Sequence, residues 1–160
     1  MSTSLDRAYQ QFWDRLLGQI RSQYPAWPAP DKPPARNYLP LTSGMTRFSY
    51  TVSFGRRGLC SELYIKVPGD ALASERILRH LQARSYELEA AYGSQLSYEY
   101  LSQTRPGRIA CRLADYRPGS IRNAEKHDAY LDWFLESQAR LRDALQRLGG
   151  LSSLRDQALT

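Results

Sequence analysis

The sequence predicts an α+β domain in the order α-ββ-α-ββ-α, with a four-stranded antiparallel sheet and helices packed on one of its faces. Three observations predict it. Apolar residues recur at three- and four-residue spacing near the start, middle and end of the chain. Strict period-two alternation occupies two separate stretches between them. Gly- and Pro-containing breaks separate the helical from the alternating segments.

The opening helix runs from Leu5 to about Tyr24, with Leu5, Tyr9, Phe12, Trp13, Leu16 and Ile20 on one face and Ser4 or Thr3 as N-cap. Residues 25–40 follow with prolines at 25, 28, 30, 33, 34 and 40, whose fixed φ and missing N–H exclude helix. This segment reads as a stiff connector.

Phe48, Tyr50, Val52 and Phe54 alternate with Arg47, Ser49, Thr51 and Ser53. Gly55-Arg56-Arg57-Gly58 supplies a tight turn, and Leu59, Leu63, Ile65 and Val67 continue opposite Cys60, Glu62, Tyr64 and Lys66. The result is a β-hairpin with a dibasic tip. After Pro68-Gly69-Asp70, the spacing of Ile77, Leu78, Leu81, Leu88 and Tyr92 predicts one helix ending at Gly93, a C′ glycine.

Leu96, Tyr98 and Tyr100 then mark a third strand. Thr104-Arg105-Pro106-Gly107 turns the chain into a fourth, Arg108 to Tyr116, with Arg108, Ala110 and Arg112 on its outer side. A last amphipathic helix carries Leu131, Phe134, Leu141, Leu145 and Leu148 up to Gly149-Gly150. Residues 1–150 thus read as a single domain, and 151–160 as a C-terminal tail.

The chain of 160 residues is 42% hydrophobic and 24% charged, a composition that supports a real core without disulfide staples. Cys60 and Cys111, the only cysteines, stand in strand contexts without metal-ligand spacing and read as reduced thiols. The start, MSTSLDRAYQQ, has no basic region followed by an apolar run, and no 18 apolar residues are contiguous anywhere. A cytoplasmic protein with no membrane contact is expected.

The formal charge of +6 is unevenly spread. Residues 46–68 hold four basic against one acidic side chain, and residues 93–122 five against two. The segments beyond 68 that read as helices are close to neutral. The surplus therefore falls on the strands, where Arg47, Tyr64, Lys66, Arg108 and Arg112 share the predicted solvent face and Arg56 and Arg57 stand at its rim. Lys and Arg neutralise phosphates and Tyr stacks on bases, so this face is the candidate nucleic-acid-binding site. Glu62 and Glu99 lie on the same side and are positioned to pair with the arginines.

Catalytic chemistry finds little support. His80 and His127 fall in helices without a Ser or Cys at triad spacing. Glu62 and Lys66 are four apart with Tyr64 between them, whereas a nuclease strand places its carboxylate and lysine two apart. The only Gly-flanked loop near phosphate-binding composition joins two strands rather than opening a helix. No catalytic residue, cofactor or metal ligand is assigned. Trp27, in the Pro-rich segment, and Trp133, at a helix rim, are the candidate partner-interface residues, because ordering a stiff segment costs less entropy than ordering a flexible loop.

The order of several short motifs resembles the prokaryotic domain of unknown function 4268 family. These are Phe12-Trp13, Glu62-Leu63-Tyr64-Ile65, Leu88-Glu89-Ala90-Ala91-Tyr92-Gly93, Leu96-Ser97-Tyr98-Glu99, Gly107-Arg108-Ile109 and Tyr130-Leu131-Asp132-Trp133. Tyr98 stands where a Trp is expected in that family, and the Pro-rich linker is longer than usual. Such domains often sit C-terminal to a restriction-type nuclease. The resemblance implies a prokaryotic, cytoplasmic setting beside DNA cleavage or antiviral defence, with any nuclease or effector a separate partner. It names no catalytic residue.

Two functional readings follow. One is a non-catalytic accessory module of a DNA-defence or restriction-like system that contacts nucleic acid through the basic face and hairpin tip. The other is a protein-interaction adaptor or homo-oligomeric subunit that recruits a separate effector through the Pro-rich segment, an aromatic rim or a sheet edge, with no nucleic-acid contact.

Overall fold

A computed structural model describes residues 3–104 and 106–158. Helix α1 (Ser4–Gln23) begins at a capping box in which the Thr3 hydroxyl accepts from the Asp6 amide while the Asp6 carboxylate accepts from the Thr3 amide. Its apolar stripe buries Phe12, Trp13, Leu16, Leu17 and Ile20. The Pro-rich segment then folds back along the helix, where the Trp13 indole N–H donates to the Arg36 carbonyl at 2.7 Å.

The sheet has five strands, not the expected four. Strand β1 (Tyr38–Pro40) arises at the end of the Pro-rich segment and pairs antiparallel with β2 (Phe48–Gly55), Leu39 opposite Val52. Three residues are too few to show alternation, and proline is tolerated there because β1 is an edge strand. The pairing is extended by the Phe54 amide donating to Asn37 O and the Leu41 amide to Tyr50 O.

The β2–β3 hairpin is as expected, β3 covering Gly58–Ile65 and the two-residue tip holding Arg56 and Arg57. Gly58 has φ +94°, and a Cβ there would lie 2.3 Å from the Arg117 carbonyl oxygen. Only glycine lets the two strands pass that closely.

The single helix expected up to Gly93 is two, α2 (Ala71–Ala83) and α3 (Ser85–Tyr92). The break falls at Arg84, whose amide donates back to Leu81 O and whose guanidinium donates to Leu148 O. The apolar spacing runs through the break unchanged, so it leaves no trace in the pattern. Gly93 ends α3 in the left-handed conformation, as expected.

The third and fourth strands are shorter than predicted. Strand β4 is Ser97–Glu99, a short helix α4 (Leu101–Thr104) follows, and β5 is Cys111–Arg117. Glu75 on α2 accepts hydrogen bonds from Ser102 and Gln103, and the Ser102 amide donates to Ala110 O. These bonds draw residues 100–104 and 106–110 out of the ladder, so Tyr100 and Arg108 are not strand residues; Arg105, in the expected turn, lies outside the described residues.

The strand order is β1-β2-β3-β5-β4, with the two strand pairs joined by β3–β5. After a 3₁₀ turn at Ala124–Lys126 comes α5 (His127–Arg147), which buries Leu131, Phe134, Leu141 and Leu145. The tail forms α6 (Gly150–Gln157), whose Leu154 is buried and whose end receives two hydrogen bonds from Arg76 to Ala158 O. The hydrogen bonds and ring contacts from helices to the sheet fall on one face. Phe54 meets Phe12, Trp13 and Phe134. Ser61 accepts from Gln138, and Asp115 accepts from the Tyr92 hydroxyl.

Candidate nucleic-acid interface

The strand registers arrange the other face as a grid. One row holds Tyr38, Ser53, Cys60 and Tyr116; the next Pro40, Thr51, Glu62, Ala114 and Ser97; the third Ser49, Tyr64, Arg112 and Glu99. A fourth pair, Arg47 and Lys66, continues the ladder through the Lys66 amide donating to Arg47 O at 2.9 Å. Thr51, Cys60, Glu62 and Ala114 in its middle are buried, and aromatic and charged side chains stand beside them.

At the centre, Arg112 lies between two carboxylates. Its Nη2 is 2.9 Å and its Nε 3.0 Å from Glu99 Oε1, while Nε is 3.7 Å from Glu62 Oε2. The Tyr116 hydroxyl donates to Glu99 Oε2 at 2.5 Å. Arg57 folds back from the hairpin tip so that its guanidinium lies 3.7 Å over the Tyr116 ring and 3.5 Å from Glu99. At the opposite rim, Arg36 lies 4.2 Å over the Tyr38 ring.

Burial opposes ionisation of Glu99, but the hydrogen bonds from Tyr116 and Arg112 and the charge of Arg112 outweigh it and hold its pKa low. Glu62 has the opposite fate. It is 5% exposed, its Oε2 has no hydrogen-bond donor, and burial with the Glu99 charge overcomes Arg112 to push its pKa up to about 7. Burial, followed by the charge of Glu62, raises the Cys60 thiol to about 12, so it is not a thiolate nucleophile at neutral pH.

The sequence-predicted residues distribute as follows. Tyr64 and Arg112 occupy the middle of the face, Arg47 and Lys66 one end, and Arg56 and Arg57 the tip at the other. Arg108 is exposed in the loop before β5 and so lies outside the strand on which it was expected. Trp27 is half-buried, its ring stacked on Tyr24 at 4.0 Å. Trp133 is half-buried on α5 against Phe134.

Sequence reasoning missed Arg36 and Tyr38, because β1 gives no alternation, and Tyr116, which the parity of Arg112 and Ala114 would have placed on this face. Among the described residues no group of three His, Cys, Asp or Glu side chains converges to hold a metal ion, and no helix is long and apolar enough to cross a membrane.

A family model, Domain of unknown function (DUF4268), matches residues 8–148. The chain belongs to this family. The match extends from α1 to the end of α5 and so takes in the whole sheet and its open face. No curated protein and no solved structure matches the chain.

Proposed function

We propose that this DUF4268 domain binds single-stranded nucleic acid on the open face of its sheet, as a non-catalytic module working beside a separate nuclease or effector in a prokaryotic DNA-defence or restriction-like system. The observation that carries the reading is the pair of guanidinium–tyrosine stacks, Arg57 on Tyr116 and Arg36 on Tyr38, at opposite sides of the face. They stand three strand spacings apart, roughly 14 Å. Each offers a flat cationic plane on which an unpaired base can stack, and a duplex hides the base faces such planes recognise.

Charge supports the same reading. Arg36, Arg47, Arg56, Arg57, Lys66 and Arg112 border or occupy the face, against Glu62 and Glu99. Arg112 and part of Arg57 are held by Glu99, which leaves Arg47, Arg56 and Lys66 as the phosphate contacts of choice. Tyr64 supplies a further ring between them.

Fluorescence anisotropy with labelled single- and double-stranded oligonucleotides at low and near-physiological salt tests the proposal. Single strands are expected to bind more tightly than duplexes, with affinity falling on a log–log salt plot by about 0.7 per phosphate contacted. Arg56→Ala/Arg57→Ala should weaken binding and flatten that slope. Equal binding by the double variant removes the hairpin tip from the site. No binding even at low salt overturns the proposal in favour of a protein-interaction adaptor.

A further inference from the structure

On the helix-covered side of the sheet, four flat groups stack in sequence. Tyr24 and Trp27 lie parallel at 4.0 Å, the Arg142 guanidinium lies 4.1 Å over Trp27, and its other side lies 4.2 Å over Tyr50. The stack fastens the Pro-rich segment to α5 and β2. It satisfies both faces of the guanidinium and none of its N–H groups. Nε and Nη2 of Arg142 are buried without a hydrogen-bond partner, and among the described residues no carboxylate forms an ion pair with it; the adjacent Asp143 is held by Arg147 at 3.0 Å.

A half-buried cation with two sealed, unbonded nitrogens and no counter-ion is costly. Neither neighbouring ring repairs the deficit. Burial lowers the pKa of Arg142, but only to about 10, so it stays charged at neutral pH; burial raises Tyr50 to about 12, so its phenol stays neutral. Beside this cation opens a cleft of about 550 Å³, walled by Met45, Leu145 and Leu151, with Asp143, whose charge Arg147 offsets, also on its lining. Its rim includes Gly149 and Gly150, both at positive φ, where α6 starts with no side-chain cap. The start of α6, Gly150 to Ser152, thus borders the same space as Arg142.

We infer that this cleft is a binding site for a small organic oxyanion, its charged head group neutralising Arg142 and its apolar body lying against Met45, Leu145 and Leu151. The stack pre-orders the guanidinium, so little side-chain entropy remains to be lost on binding, and the cleft volume suits a small molecule. Carboxylate and phosphate share the chemistry the site recognises. The site lies on the opposite side of the sheet from the face proposed for nucleic acid, so each can be tested with the other intact.

The test titrates the full chain with benzoate, phenyl phosphate, acetate and inorganic phosphate against chloride at matched ionic strength and pH 7, reading tryptophan fluorescence and thermal unfolding. At least one oxyanion is expected to give a saturable fluorescence change, with Tm raised by about 3–5 °C at ten times its Kd. The head group that responds identifies the class. Arg142→Gln should abolish the response. Ser152→Asp, at an exposed position lining the cleft, should weaken it at least tenfold while leaving Tm in chloride unchanged or raised, because its carboxylate supplies Arg142 with a counter-ion, and this keeps the test decisive if Arg142→Gln fails to fold. No saturable response to any of the four, or a response that survives Ser152→Asp undiminished, overturns the inference.

Discussion

Arg112 and Arg142 are both half-buried arginines against aromatic rings, yet their surroundings differ in kind. Arg112 sits on the open face of the sheet and is held by two carboxylates, which turn the middle of that face into a nearly neutral, hydrogen-bonded plate. Arg142 sits under the helices, gripped by two rings and by no anion. The first arrangement supplies its arginine with counter-ions from within the chain and shapes a surface. The second is incomplete, and an incomplete buried charge is where a ligand is expected.

The sharpest way to break this contrast is to remove each cation. Arg112→Ala leaves Glu62 buried beside Glu99 without its ion-pair partner, with only Arg57 at the rim still near Glu99, and urea unfolding should show a loss of about 4 kcal/mol. A loss below about 1 kcal/mol would mean that the network does not hold the sheet together.

The next effect is a pH dependence from Glu62. Its folded pKa of about 7 exceeds the ordinary 4.5, so in that interval the folded protein keeps a proton the unfolded chain has released. Stability therefore falls as pH rises through this window, by roughly 3 kcal/mol from this group. Glu62→Gln should remove the slope, so that its advantage in Tm over the wild type is larger at pH 8 than at pH 5. Parallel profiles for the two proteins would place the Glu62 carboxyl at an ordinary pKa.

The smallest effect is expected at the other arginine. Arg142→Met loses the ring contacts but relieves an unpaired buried charge at similar volume, and the net change by urea unfolding should stay within about 1 kcal/mol. A loss as large as that for Arg112→Ala would make the two arginines structural equals and erase the comparison.

Much of this was legible in the residues. The helix faces, the β2–β3 hairpin with its dibasic tip and the split between buried and open strand faces follow from period and turn chemistry alone. Strand β1 was not legible, because a three-residue strand at the end of a Pro-rich run pairs through backbone atoms that no side-chain pattern reports. The break at Arg84 and the diversion of the chain on either side of Arg105 at 100–104 and 106–110 depend on hydrogen bonds to Leu148 and Glu75, remote in sequence. At the candidate site, Arg112 and Tyr64 could be placed from alternation, and pairing of the arginines with Glu62 and Glu99 was foreseeable. The Arg36–Tyr38 stack required β1, and the solitude of Arg142 required three elements to meet.

The sheet's outermost strands are both only three residues long, and one ends in Pro40, which has no N–H to offer. Short or proline-blocked margins are poor templates for another chain. A protein that leaves one broad face of its sheet free of helices is thereby spared the usual hazard of doing so: copies meeting at high concentration find no long ladder along which to grow a fibril.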